Sequence, residues 1–294
     1  MAGHHQQPRG PAGPEQVLTS PGPRWGDPHL QGDHNLAKAA RVHPVIWGDM
    51  PASSNFQEAI REAQSSALVG PNVVNKALPY VGGGMVLTAA GVLGGIATYV
   101  SMAPGVFQML SFAAIIPWFI LFFVAQNAAN KANNSTALPL LVTFSLLTGF
   151  TLTGLVLRAL AVAAPSVGIA ALATGITFVV ASIFGRRMSD SVGQALSGVV
   201  GLGLIGLLIA MVVQIIGSIF APEIFAFGTF ELMVSGFGTV LFVGMAFVDF
   251  YTMPRMYRDD QYLAGALGMY LTFINLFIFV LRLVIALQGG GRRD

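Results

Sequence analysis

The chain has 294 residues, of which 54% are hydrophobic and only 10% charged. Soluble domains carry about 25% charged residues, so there is too little charge here to coat a water-facing surface, and lipid must be the outer solvent. The formal charge of +2 comes with no basic run, which argues against a nucleic-acid partner. The absence of cysteine excludes disulfides, thiolate metal ligands and a cysteine nucleophile.

Residues 1–77 are polar and rich in Pro, Gly and His, with no apolar run of signal-peptide length, and are read as an N-terminal tail. The stretch 54–68 within it has the pattern of a short amphipathic helix. Ser54 and Gln57 fit the pattern of a capping box, and in a helix Phe56, Ile60, Ala63 and Ala67 would share a face. Such a helix is either a plain surface helix or one that lies on the membrane or docks a partner. From residue 78 to 294, apolar segments recur between short polar breaks, with spans expected at 79–101, 105–125, 137–157, 161–184, 195–220, 231–253 and 263–287. Each has roughly the 20 residues that cross ~30 Å of hydrocarbon. The fold class expected is all-α: a polytopic membrane protein with seven transmembrane helices in one bundle.

Lys76, Lys131, Arg186, Arg187, Arg255 and Arg258 fall on the N-terminal side of such a bundle, against Arg158, Arg292 and Arg293 on the other. The excess of cations places the N-terminus on the cytoplasmic or matrix side. The glycines at 82–84, 91, 94 and 95 read as helix-packing sites. Gly201-Leu-Gly203-Leu-Ile-Gly206 matches a dinucleotide-binding pattern, but no strand precedes it, so it reads as packing too. All five histidines (His4, His5, His29, His34 and His43) lie in the tail, so the spans hold no imidazole. Without a nucleophile–base pair or metal-ligand cluster in the bundle, no enzyme activity, metal or cofactor is expected.

The informative residues are polar ones in the last two spans. An acid inside a span is costly, and Asp249 is therefore a functional candidate by default. Desolvation disfavours the charge of such a carboxylate, so its protonation state would respond to pH. Glu231, Ser235, Gly238, Phe242, Met245, Asp249 and Thr252 repeat at helical spacing, as do Gly268, Thr272, Asn275, Phe279 and Arg282. The short turn at 254–262 makes these helices antiparallel neighbours. Counting outward from it puts Asp249 level with Thr272, and Glu231 level with Arg282. Two polar seams should face one another, with a Glu231–Arg282 ion pair far from the turn and a hydrogen-bonded Asp249 near it. The spacing fits both a polar pathway for ions or protons and simple structural glue.

Several of these segments resemble the Bax inhibitor motif family of seven-helix membrane proteins. Gly268-Met-Tyr-Leu-Thr-Phe-Ile-Asn-Leu-Phe-Ile-Phe-Val-Leu-Arg282 is similar to its closing helix, and Val240-Leu-Phe-Val-Gly-Met-Ala-Phe-Val-Asp249 to the helix ending in its aspartate. Gly185-Arg-Arg-Met-Ser-Asp-Ser191 resembles its fourth-to-fifth helix junction, and Thr148-Gly-Phe-Thr-Leu-Thr-Gly154 its small-residue third helix. The resemblance implies a pH-sensitive calcium leak channel in which two aspartates of the last two helices share a proton. Asp249 falls on the first of those positions, and Thr272 on the second. One carboxylate beside a hydroxyl does not share a proton as two crowded carboxylates do. Where the family closes its second helix with basic residues, this chain has Gln126 and Asn127. Gly289-Gly-Gly-Arg-Arg-Asp294 resembles the mitochondrial branch, which leaves a bacterial or a mitochondrial inner membrane open.

Two functional expectations follow. The first is a calcium or proton leak pathway, with Asp249, Thr272 and Asn275 as the ion-contacting or pH-sensing group. It requires Asp249 to face a cavity that water can reach. The second is a non-transporting structural or accessory subunit of a larger membrane complex, whose other subunits would contact the N-terminal tail. It requires a dry, packed Asp249.

Overall fold

Apolar runs of this length must satisfy their own backbone hydrogen bonds in lipid. The computed structural model, which describes residues 68–225 and 229–290, does so entirely with helices. In chain order these are α1 (Val73–Ser101), α2 (Pro104–Ala113), α3 (Ile115–Asn130), α4 (Asn134–Val162), α5 (Ser166–Phe184), α6 (Asp190–Phe220), a single turn α7 (Pro222–Phe225), α8 (Thr229–Met256) and α9 (Tyr262–Gly290). A 3-10 turn at Gly185–Arg187 closes α5. Seven stretches are long and apolar enough to cross a membrane, α2 with α3 and α7 with α8 each making one. The seven-span membrane bundle stands as expected. The amphipathic stretch expected at 54–68 lies outside the described residues, apart from Leu68.

The helix ends differ from the apolar runs for physical reasons. α1 begins at Val73, ahead of the boundary expected at 77/78. Asn75 and Lys76 lower the local hydropathy there, yet Val73, Val74 and Ala77 on either side of them are buried. The second span breaks in two at Ala114. Pro117 supplies no N–H to the carbonyl of Ala113, and its ring crowds that carbonyl. The α3–α4 loop holds Ala132 at φ 55°, a left-handed conformation that L side chains resist. Ala132→Gly should therefore raise stability by about 0.5–1 kcal/mol, read as a higher thermal midpoint in detergent.

α9 occupies the centre, in contact with α1, α3, α4, α5 and α8. Apart from the seam of Thr272, Asn275 and Arg282 its sequence is apolar, as a largely surrounded helix must be, and Leu263, Leu267, Tyr270, Leu276 and Leu281 are fully buried. Lipid tails are as apolar as leucine, so close packing and polar contacts, not the hydrophobic effect, hold such helices together. The α1–α4 pair shows both. Gly91 lies against the backbone of Leu146 and Gly149, Gly149 against Thr88 and Val92, and Gly95 against Thr153. Beside them, Thr88 Oγ1 donates to the Gly84 carbonyl at 2.8 Å and meets the Tyr270 hydroxyl of α9 at 2.7 Å. Trp118 Nε1 of α3 donates to Thr148 Oγ1 at 2.8 Å.

The packing role expected of every glycine is too broad. Gly82, Gly83 and Gly94 have no neighbour where a side chain would project, nor do Gly201 and Gly206. In the 201–206 motif, only Gly203 packs within the bundle, against Leu241. Helical periodicity explains the division: Gly84, Gly91 and Gly95 share one face of α1, while Gly82, Gly83 and Gly94 turn away from it.

At the other end of α8, polar contacts collect around the α8–α9 turn. Gly70 N donates to the Pro254 carbonyl at 3.0 Å, and Asn72 N to Asp259 Oδ1 at 2.9 Å. Lys76 Nζ lies 3.7 Å from Asp259 Oδ2. Gln261 Nε2 donates to the Asn130 carbonyl at 2.6 Å, and Asn134 Nδ2 to that of Asp260 at 3.1 Å. Arg258, 3.0 Å from Asp260, holds that carboxyl below the usual carboxylate range. Arg255 reaches from the end of α8 to Asp190 at the start of α6, also at 3.0 Å. The segment entering α1 and the α3–α4 loop are thus both tied to the turn that joins the last two spans.

Candidate functional site

α8 and α9 run antiparallel from this turn and bring their polar faces together. Nearest the turn is a cavity of about 380 Å³. Asp249 from α8 lines it, with Thr272 and Asn275 from α9 and Tyr257 from the turn. The Asp249 carboxyl interacts with the Thr272 hydroxyl. Its Oδ2 is buried and has no hydrogen-bond partner among the described residues. The Asn275 amide nitrogen is spent on the Leu271 carbonyl of its own helix, at 2.9 Å. The rest of the lining is apolar and includes Phe242, Met245 and Met269. Burial first, and the nearby Asp249 carboxylate second, push the Tyr257 phenol above its ordinary range, with Gln126 acting in the opposite direction. Gln126 thus lies beside Tyr257, while Asn127 is exposed.

Further from the turn, the seam becomes aromatic. The rings of Phe242 and Phe279 are stacked at 5.4 Å with 19° between their planes. Phe279 fits because Gly238, across from it on α8, has no side chain. Beyond this pair lies the second polar group. Arg282 Nε donates to Glu231 Oε1 at 2.9 Å, and its Nη2 to Glu231 Oε2 at 2.6 Å, a two-pronged ion pair. Both side chains are largely shielded, at 17% and 13% exposed. The Arg282 guanidinium also sits 5.5 Å from the Phe279 ring centre, on a favourable cation–π approach.

Sequence reasoning names Asp249, Thr272, Asn275, Glu231 and Arg282 and misses Gln214. Gln214, on α6, completes the ion pair. Its Oε1 accepts from Arg282 Nη2 at 2.8 Å, while its Nε2 donates to Glu231 Oε2 and, at 3.0 Å, to the Phe225 carbonyl. The signal is present in the sequence: Gln214 is a lone amide within an apolar stretch of α6. Tyr270 is also missed, because a tyrosine near mid-span reads as ordinary apolar bulk until Thr88 is brought beside its hydroxyl. No cluster of His, Asp or Glu able to hold a metal ion occurs among the described residues.

Known proteins are similar to this chain in sequence. Residues 70–289 match the family model described as inhibitor of apoptosis-promoting Bax1. A membrane protein of Streptococcus pyogenes serotype M1 is 32% identical over 183 residues, which is 60% of this chain and 74% of the relative. A protein of Borreliella burgdorferi is 28% identical over 196 residues, covering 64% of this chain and 77% of its own. Bax inhibitor 1 of Schizosaccharomyces pombe is 35% identical over 60 residues, 20% of this chain and 23% of the yeast protein. The match begins at the segment that enters α1 and runs to the end of α9, so it takes in the whole described bundle, and the chain belongs to the Bax inhibitor family of integral membrane proteins.

Proposed function

We propose that the protein is a cation leak pathway, for calcium or protons, in which Asp249 attracts and holds the ion. One observation carries the reading: a carboxyl oxygen without a partner among the described residues, inside a membrane span, on the wall of a cavity of about 380 Å³. An acid serving only as packing glue would have its acceptor sites filled and its surroundings closed. Thr272 and Asn275 add oxygen and amide groups around the same space. A second reading, a non-transporting subunit of a larger membrane complex, is favoured by Thr272 itself, which leaves a single acid in this cavity.

Calcium flux into liposomes holding the purified protein separates the two. A lone carboxylate attracts a cation only when ionised, so flux should fall as the pH is lowered through its titration. Asp249→Asn should remove the pH response and cut flux about tenfold or more, the effect of losing about 1.4 kcal/mol of attraction. A wild-type protein without flux, together with flux gained in Thr272→Asp, would establish the subunit reading instead.

A further inference from the structure

The polar groups of the α8–α9 seam fall into two compartments with an aromatic layer between them. Phe242 forms the inner end of the Asp249 cavity. Asp249 and Phe242 are seven residues apart on α8, as are Thr272 and Phe279 on α9, so each ring lies about 10 Å along its helix from the polar group. On the far face of the same layer, Arg282 approaches the Phe279 ring and pairs with Glu231 and Gln214. Both phenylalanines are buried, at 7% and 3% exposed, and their rings stack across the seam. An apolar constriction of this kind blocks ions by excluding the water that must accompany them.

We infer that Phe242 and Phe279 are the barrier of the pathway, separating a water-accessible Asp249 chamber from the Glu231–Arg282–Gln214 cluster. The inference rests on the leak-pathway reading and deepens it. Passage requires the two rings to part. Gly238 supplies the place where this is decided, since it holds the Phe279 ring by having no side chain of its own. The Asp249 chamber then communicates with the α8–α9 turn side alone while the rings are stacked.

The chain contains no cysteine, so a single Thr272→Cys substitution in the full-length protein gives one thiol on the chamber wall. A charged, membrane-impermeant thiol reagent is added to one face or the other of reconstituted vesicles. With both rings intact, labelling is expected from the turn side only. Adding Phe279→Ala or Phe242→Ala should raise labelling from the opposite face about tenfold or more, as expected when an apolar constriction is allowed to wet, while Phe279→Leu, which keeps the bulk, should leave it one-sided. An unchanged rate from the turn side reports that the alanine variants are still folded. Labelling from both faces with the rings intact, or one-sided labelling that survives both alanine variants, overturns the barrier but not the leak pathway. No labelling from either face means a dry chamber and overturns both.

Discussion

Gly149→Leu should unfold the protein at markedly lower temperature, losing about 3 kcal/mol or more of stability, an effect at the upper end for overpacked sites. A side chain at this position would enter the backbone of α1. It would run into the Thr88 carbonyl oxygen and lie 2.8 Å from the Val92 nitrogen. Neither atom belongs to a flexible side chain, so only a separation of α1 from α4 relieves the clash. That separation would also break the contact of Thr88 Oγ1 with the Ser145 carbonyl of α4. Leucine is a better helix former than glycine by roughly 0.5–1 kcal/mol, so any loss is steric in origin. Gly94→Leu serves as the control. Gly94 is on the same stretch of α1 with open space around it, and its substitution should be neutral or mildly stabilising. Thermal unfolding of the two variants in detergent micelles decides the matter, and equal midpoints would refute the close α1–α4 approach.

Arg282→Met is expected to cost about 3–5 kcal/mol, the range for removing one partner of a buried ion pair. The loss leaves Glu231 shielded from water with only Gln214 to satisfy it. Glu231→Leu should cost a similar amount, since Arg282 would keep only the Gln214 oxygen. The double variant should cost clearly less than the sum, by about 2 kcal/mol or more, because a well-packed apolar pair can replace a buried ionic one. Denaturant unfolding of the two single variants and the double variant gives this coupling directly. Additive losses would mean that Glu231 and Arg282 act separately and that the two-pronged geometry contributes nothing.

The seven spans are legible in the sequence because lipid leaves a long apolar run only one conformation. Asp249, Thr272, Glu231 and Arg282 are legible because a short turn fixes the register of two antiparallel helices, and depth can then be counted residue by residue. Contacts from helices without such a register are not. Gln214 reaches the ion pair from α6, and nothing in its spacing says which neighbour α6 meets. The same limit applies to Tyr270 and Thr88, which are 182 residues apart. Helix ends are harder still. Hydropathy marks where the chain is comfortable in lipid, whereas Val73 and Asp190 begin their helices outside that zone, where buried side chains and polar contacts decide. The outward-facing glycines belong with these. Composition identifies a small residue, but only the packed structure says whether anything lies opposite it.

The contacts between the entry to α1 and the α8–α9 turn also order the birth of the molecule. Asn72 and its partner Asp259 are 187 positions apart. During synthesis the α1–α4 pair has all its parts once three spans have been made, and local partners of this kind assemble early. The entry segment has no such partner until the sixth span and the turn after it leave the ribosome. Its latch can therefore close only once that turn has been made. A nascent chain stalled before residue 259 would carry a docked first helix and an unfastened leading end.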